Sequence, residues 1–311
     1  PVRSGAIPSA NYNRVSARVV GDHIDRSPTY RVRSSVSGSF SFNPTSATAV
    51  SNDIHKLAGV GTNVNQDYFS SLSSHSMCIL MQEKLGANPA GKAGTGIVFH
   101  GMMATQYSIS LPSDNALLDS SISFIGQKIT DMNIGETEVS EWVDAITDNT
   151  KRGQIRTVGK PFETWTALIS YGGSTNWVSV NSMSINIANN LIPGNFTTSG
   201  LNITKPIVAD RNVTGTFSVP YSGTVSNEKT YKDFLDDVRS SSNTGLQKEL
   251  SIELISSQDT TKKITIVMPK IVIMQGQSLN SIATGYVPMS FSFKAFGQAE
   301  TSNQEIYINN S

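Results

Sequence analysis

Val36-Ser-Gly-Ser-Phe-Ser-Phe42 and Val213-Thr-Gly-Thr-Phe-Ser-Val219 are one phrase written twice. In both, apolar side chains alternate with hydroxyl side chains around a glycine, the period of a strand with one buried and one wetted face. A second phrase, Ile122-Ser-Phe-Ile-Gly-Gln127, returns in the same order as Phe293-Lys-Ala-Phe-Gly-Gln298. Between the phrases each half carries two more apolar strands, Met77 to Met81 and Ile97 to Met103 in one, Leu250 to Ile255 and Ile264 to Ile273 in the other. A spacing held near ~170 residues is that of a tandem domain duplication. A duplicated module points to the building of rings or arrays.

Working outward, the same alternation marks Val15 to Val20, Tyr30 to Phe42, Tyr107 to Leu111, Ser121 to Ile125, Trp165 to Ile169, Trp177 to Ile187, Val213 to Val219 and Val287 to Phe293. Short strands punctuated by Gly, Asn and Pro predict a mainly β fold, two tandem sandwich or barrel domains. One short helix is expected in each half just after the first phrase, Asn52 to Leu57 and Glu228 to Val238, the second with Tyr231, Phe234, Leu235 and Val238 in one apolar stripe that would lie on a sheet. Residues 1–130 form the expected first domain, 131–164 a linker with a helix around Trp142, Val143 and Ile146, and 165–311 the second domain with a polar C-terminal tail. In that tail Ile306, Tyr307 and Ile308 read as an exposed strand that a neighbour's sheet could accept.

Composition narrows the functions. The chain of 311 residues has 24 Lys plus Arg and 24 Asp plus Glu, a net charge of zero, and only 15% charged residues. Proteins that grip duplex nucleic acid carry a basic excess to neutralise phosphate, and none is present. Low charge with abundant Ser, Thr and Asn suits a surface covered by other proteins, and equally a polar extracellular module. Cys78 is the single cysteine, which rules out an intrachain disulfide, and its apolar setting Met77-Cys-Ile-Leu-Met81 reads as core. No stretch of 18 apolar residues occurs, so the expectation is a soluble protein made in the cytoplasm and not embedded in a membrane. Asn195, Asn202 and Asn212 begin Asn-x-Thr sequons of the kind an Asn- and Thr-rich segment produces by chance.

The chemistry-bearing patterns are weak. Gly86-Ala-Asn-Pro-Ala-Gly91-Lys92-Ala93 lacks the hydroxyl that a phosphate loop needs at its last position, and a strand rather than a helix follows it. His23, His55, His75 and His100 have no partner at metal-ligand spacing. Asp233, Asp236 and Asp237 share one helix and read as a solvated face. Trp142, Trp165 and Trp177 cluster around the linker and read as packing between domains rather than as a stacking platform. Met102, Met103, Met268, Met274 and Met289 read as core fillers. No catalytic residue, cofactor or metal is predicted.

In half two the order of motifs is Ser182-Met-Ser-Ile-Asn-Ile-Ala-Asn-Asn190, Ile207-Val-Ala-Asp-Arg-Asn-Val-Thr-Gly-Thr-Phe217, Tyr231-Lys-Asp-Phe-Leu235, Ile264-Thr-Ile-Val-Met-Pro-Lys-Ile-Val-Ile273 and Pro288-Met-Ser-Phe-Ser-Phe-Lys-Ala-Phe296. This order resembles the major tail tube proteins of long-tailed bacteriophages, and half one resembles them more loosely, as in long members with two tube domains per chain. The resemblance implies a structural subunit whose inner sheet joins its neighbours' sheets around a lumen, in stacked rings that are six-fold or, with two domains per chain, pseudo-six-fold and trimeric. Its implied partners are further copies of itself, a tape-measure protein, tail-terminator or tip proteins and, in a contractile tail, a sheath protein. DNA would pass through without specific binding, in a virion tail assembled in the host cytoplasm. The motif positions Val36, Gly38, Phe40, Asp210, Arg211, Gly215 and Phe217 are assigned to ring formation. Stacking between rings is assigned by position and polarity to the arm Pro1 to Arg14, the linker and the tail, with Tyr12, Arg14, Trp142, Ile306 and Tyr307 as candidates. A tail-tip or baseplate hub and a β-sandwich glycan-binding module remain as alternatives.

Overall fold

Both copies of the opening phrase become strand, and the strands they pair with repeat as well. The computed structural model describes residues 2–16, 29–44, 54–63, 65–66, 69, 72, 75–81, 95–112, 118–133, 165–173, 178–194, 204–220, 231–239, 247–256, 259–276, 288–297 and 304–310. In chain order the strands are β1 (Val2–Ser16), β2 (Thr29–Phe42), β3 (His75–Met81), β4 (Thr95–Leu111), β5 (Asp119–Gly126), β6 (Lys128–Asn133), β7 (Trp165–Tyr171), β8 (Ser182–Gly194), β9 (Thr204–Pro220), β10 (Lys248–Ser256), β11 (Lys263–Gly276), β12 (Pro288–Ala295) and β13 (Tyr307–Asn310), and helix α1 (Tyr231–Arg239) stands between β9 and β10. They form one antiparallel sheet of 13 strands. Its main path is β1-β2-β5-β4-β8-β9-β12-β11-β10-β7, with β3 and β6 flanking the first part of β4 and β13 flanking the first part of β11.

The same pairing scheme occurs twice. β1 lies on β2 and β2 on β5 as β8 lies on β9 and β9 on β12. β4 carries β5, β3 and β6 as β11 carries β12, β10 and β13. Even the irregularities match. Asn13 opposite Arg33 precedes a bulge, and so does Asn190 opposite Asp210. β4 skips Thr105 in its pairing with β5, and β11 skips Met274 in its pairing with β12. Gly38 lies opposite Phe124 and Gly215 opposite Phe293, so the counterpart of Phe293 is Phe124 rather than the Ile122 of the phrase comparison.

Alternation explains the core. Val36, Tyr107, Ile122, Phe124, Ile185, Val213, Phe217, Phe291 and Phe293 are buried and point to one side of their strands. Burying each such side chain is worth about 1.5–3 kcal/mol. β4 and β11 are long enough to serve two layers. At Gly101, with φ of 66°, β4 passes from its pairing with β3 and β6 to its pairing with β5 and β8, and a Cβ there would overlap the Gln127 side chain. That glycine and the Thr105 bulge break the sequence period, which is why one strand reads as two. α1 closes the second half: Phe234 has ring centroids 5.0 Å from Tyr171 and Phe217 and 5.3 Å from Phe291, bridging β7 to β9 and β12.

Several sequence expectations change. The arm expected over Pro1 to Arg14 is strand β1, held by its ladder to β2 although small residues hide its alternation. β6 runs to Asn133, past the expected boundary at residue 130. The halves share one sheet, because β4 pairs with β8. Of the helix expected over Asn52 to Leu57, residues 54–57 are described and are helical. The tail strand is not exposed: Ile306 and Ile308 are fully buried and β13 pairs with this chain's own β11. The phosphate-loop-like segment, the linker helix with Trp142, and also His23 and Trp177, lie outside the described residues.

Gly215 tests the repeated phrase. A Cβ there would sit 2.3 Å from the Phe293 ring and 2.5 Å from the Ser184 carbonyl oxygen. Gly215→Ala is expected to cost about 1–3 kcal/mol, as overpacking in a close-packed interior does. Urea unfolding of the unassembled protein, read by fluorescence, checks it.

Candidate functional site

The feature that two aligned halves create, and one half could not, is the face of the long sheet turned away from the core. Adjacent strands bring its residues into rows. One row runs Ser41, Ser121, Ser108, Asn186, Thr214 and Lys294 across β2, β5, β4, β8, β9 and β12. Beside it lie Ser39, Ser123, Gln106 and Ala188 on one side and Ser110, Ser184, Thr216 and Ser292 on the other. None of these side chains other than Lys294 is formally charged, and Asp119 and Asp210 are the acidic side chains described on the same face. It is a broad surface of hydroxyls and amides, close to electrically neutral.

The face is stitched across its strands. Gln106 Nε2 donates to Asn186 Oδ1 at 2.7 Å, joining the halves, and the hydroxyls of Ser108 and Ser121 lie 2.7 Å apart. Ser184 and Thr216 hydroxyls are 2.8 Å apart, and Asn190 Nδ2 donates to Asp210 Oδ1 at 2.8 Å. Such cross-strand pairs add modest stability each and hold register. Beyond the bulge at Asn190 the β8–β9 ribbon continues to Ile192 opposite Ile207, an apolar pair left 55% and 45% exposed. The corresponding positions on the β1–β2 ribbon are Val15 opposite Tyr30.

The motif residues divide between core and joint. Val36 and Phe217 are core, Phe40 packs against Phe42 and Phe124, and Gly38 and Gly215 face aromatic rings. Arg211, with a side chain only 2% exposed, pairs with Glu305 of the tail, donates from Nη1 to the Gly59 carbonyl at 2.7 Å and lies 4.9 Å from the centre of the Phe69 ring. Asn189 Nδ2 donates to the carbonyls of Ala58 and Ala104, and Gln304 Oε1 accepts from the Gly61 amide. Thus residues 58–61 of half one are tied to β4, β8, β9 and the tail. The spacing Asp-Arg-x-x-x-Gly holds both signals, but the tie to residues 58–61 is invisible without the fold.

Other candidates have structural partners. His55 Nδ1 lies 3.2 Å from the Tyr107 hydroxyl, whose pKa burial pushes far above the ordinary value. Asp237 is the acid of the trio that turns inward, accepting from Tyr171 at 2.7 Å and from Lys248 at 2.7 and 2.8 Å. Burial, then the hydrogen bond and charge of Asp237, raise the Tyr171 pKa and keep that hydroxyl a donor. Tyr12 and Arg14 lie on β1 opposite Ser34 and Arg31; Tyr307 pairs with Val267 and bridges Gly61. Among the described residues no group of three or more His, Cys, Asp or Glu is placed to hold a metal ion.

A family model described as phage tail tube protein matches residues 4–302, spanning both halves. No curated protein matches the chain.

Removing the guanidinium would leave Glu305 and the Gly59 carbonyl without their donor. Arg211→Ala is expected to lose about 2–3 kcal/mol, the value of charged hydrogen bonds at a largely buried site. Arg211→Lys should recover little, since an ammonium cannot reproduce the fork. Guanidinium-chloride unfolding of the three proteins checks both.

Proposed function

The chain belongs to the phage tail tube protein family, a structural component of the virion tail, and from that premise we propose that three copies close into one ring whose wall is the neutral sheet face, the stacked rings forming the conduit through which DNA leaves the virion. The observation that carries this is the run of hydroxyl and amide side chains from Ser41 through Ser121, Ser108 and Asn186 to Thr214, which crosses both halves.

Two physical arguments support it. Duplex DNA presents one phosphate charge per ~1.7 Å, so a basic wall would bind it and an uncharged wall lets it slide. The count of strands supports three copies. The path β1-β2-β5-β4-β8-β9-β12-β11 contributes eight strands per chain. At ~4.8 Å spacing and a tilt of about 40°, three chains give a barrel roughly 48 Å across between backbones, and six would give twice that. After side chains the smaller barrel admits a duplex with its hydration, or a tape-measure protein before it.

Stacking is proposed for the projecting ends of the β8–β9 and β1–β2 ribbons, where Ile192 and Ile207 are exposed as a pair and where Tyr12 and Arg14 lie nearby in sequence on β1. Exposed apolar pairs at an element's end mark contact surfaces.

End-on electron micrographs of concentrated purified protein test the reading. Hollow tubes of three-chain rings are expected; discrete rings that never elongate would favour a tip or hub component instead. Ile192→Asp is expected to leave rings intact and shorten or abolish tubes, read by the length distribution. Ser108→Lys combined with Ser292→Lys is expected to slow DNA ejection from assembled particles severalfold, more at low salt. Unchanged ejection kinetics at both ionic strengths would count against that face as the wall.

A further inference from the structure

The structure contains one completed joint between halves, and the repeat identifies where the next one belongs. The internal joint is β4 against β8, with Gln106 opposite Ala188 and Tyr107 opposite Ile187. The matched bulges fix the counterparts. Thr105 corresponds to Met274, so Gln106 corresponds to Gln275 and Tyr107 to Gly276. Asn190 corresponds to Asn13, so Ala188 corresponds to Asn11 and Ile187 to Ala10.

Along the eight-strand face, these counterparts are the strands left with an open edge among the described residues. β1 pairs with β2 alone, and β11 past Met274 pairs with β12 alone. Open edges carry unpaired amides and carbonyls and demand a partner. Beside one of them Met274 is 58% exposed.

On the ring reading given above, we propose that β11 of one copy pairs antiparallel with β1 of the next copy in the register of the internal joint, Gln275 opposite Asn11 and Gly276 opposite Ala10. The polar rows then continue without a break, from Ser292 and Gln275 of one copy to Asn11 and Ser35 of the next. Small residues, Gly276 and Ala10, stand where the internal joint places Tyr107 and Ile187, so backbone hydrogen bonds supply most of the outer joint. The occupant is a second copy of this chain, because β1 and β11 differ from β8 and β4 in side chains but repeat their bulges.

Disulfide trapping tests the register. In a Cys78→Ser background, Asn11→Cys with Gln275→Cys places two thiols directly opposite across the joint, within the roughly 4.4–6.8 Å Cα separation that a disulfide spans. Ala6→Cys with Gln275→Cys is the control, displaced by roughly 17 Å along the strand. Mild oxidation of tubes is expected to give covalent dimers and trimers at least tenfold faster for the first pair, with the ladder ending at the trimer. Cross-links confined to single chains, equal rates for the two pairs, or no cross-link in specimens that show normal tubes would overturn the register while leaving the tube reading intact. A ladder running to six would overturn the three-copy closure. If the unsubstituted protein forms neither rings nor tubes, the ring reading itself fails. Should the double variant not assemble, the chain boundary in the unsubstituted tube decides: a ladder between β11 and β1 supports the register, and any other pairing overturns it.

Discussion

Backbone pairing between β4 and β8, from Gln106 opposite Ala188 to Leu111 opposite Met183, is the constraint on which the molecule rests. Without it no strand pairing would join the two halves, and their polar faces could point anywhere. With it, Ser108 and Asn186 stand side by side, the rows of the two faces align, and one core continues beneath them. Since side chains alternate along each strand, a slip of one residue at this joint would turn Ile187 to the wet face while Tyr107 stays in the core. Asn189, Gln106 and Arg211 fix the alignment from three directions.

Much of this was legible from alternation alone. Phe40 and Phe42 between serines told which side of β2 is buried, and the repeated glycine phrase told that β9 would do the same. The mainly β class followed from those residues, and the tail tube resemblance from the order of motifs in half two. What escaped has physical reasons. β1 is rich in Ser, Ala and Gly, whose small side chains give no contrast between faces, and its place is set by the ladder to β2. Ile306 and Ile308 sit in a polar tail, so their burial depends on β11 arriving from more than thirty positions upstream. The polar face was unreadable because each serine on it looks ordinary, and only cross-strand register gathers them into a surface.

Arg211 shows the limit most clearly. Its sequence neighbourhood marks it as part of a motif, yet its partners Gly59, Phe69 and Glu305 come from distant segments of both halves. A buried guanidinium needs several acceptors to be tolerated, and the fold supplies them where half one, half two and the tail converge.

Carrying both copies of the repeated pairing scheme on one chain has a kinetic consequence. A joint between tethered partners forms at an effective concentration of order millimolar, however dilute the protein is in the cell. In the proposed ring every second seam is therefore made during folding, and only the remaining seams wait on collisions between molecules. On that reading, control over when polymerisation begins rests with half of the contacts, and those can be weak singly, because the other half are held within each chain.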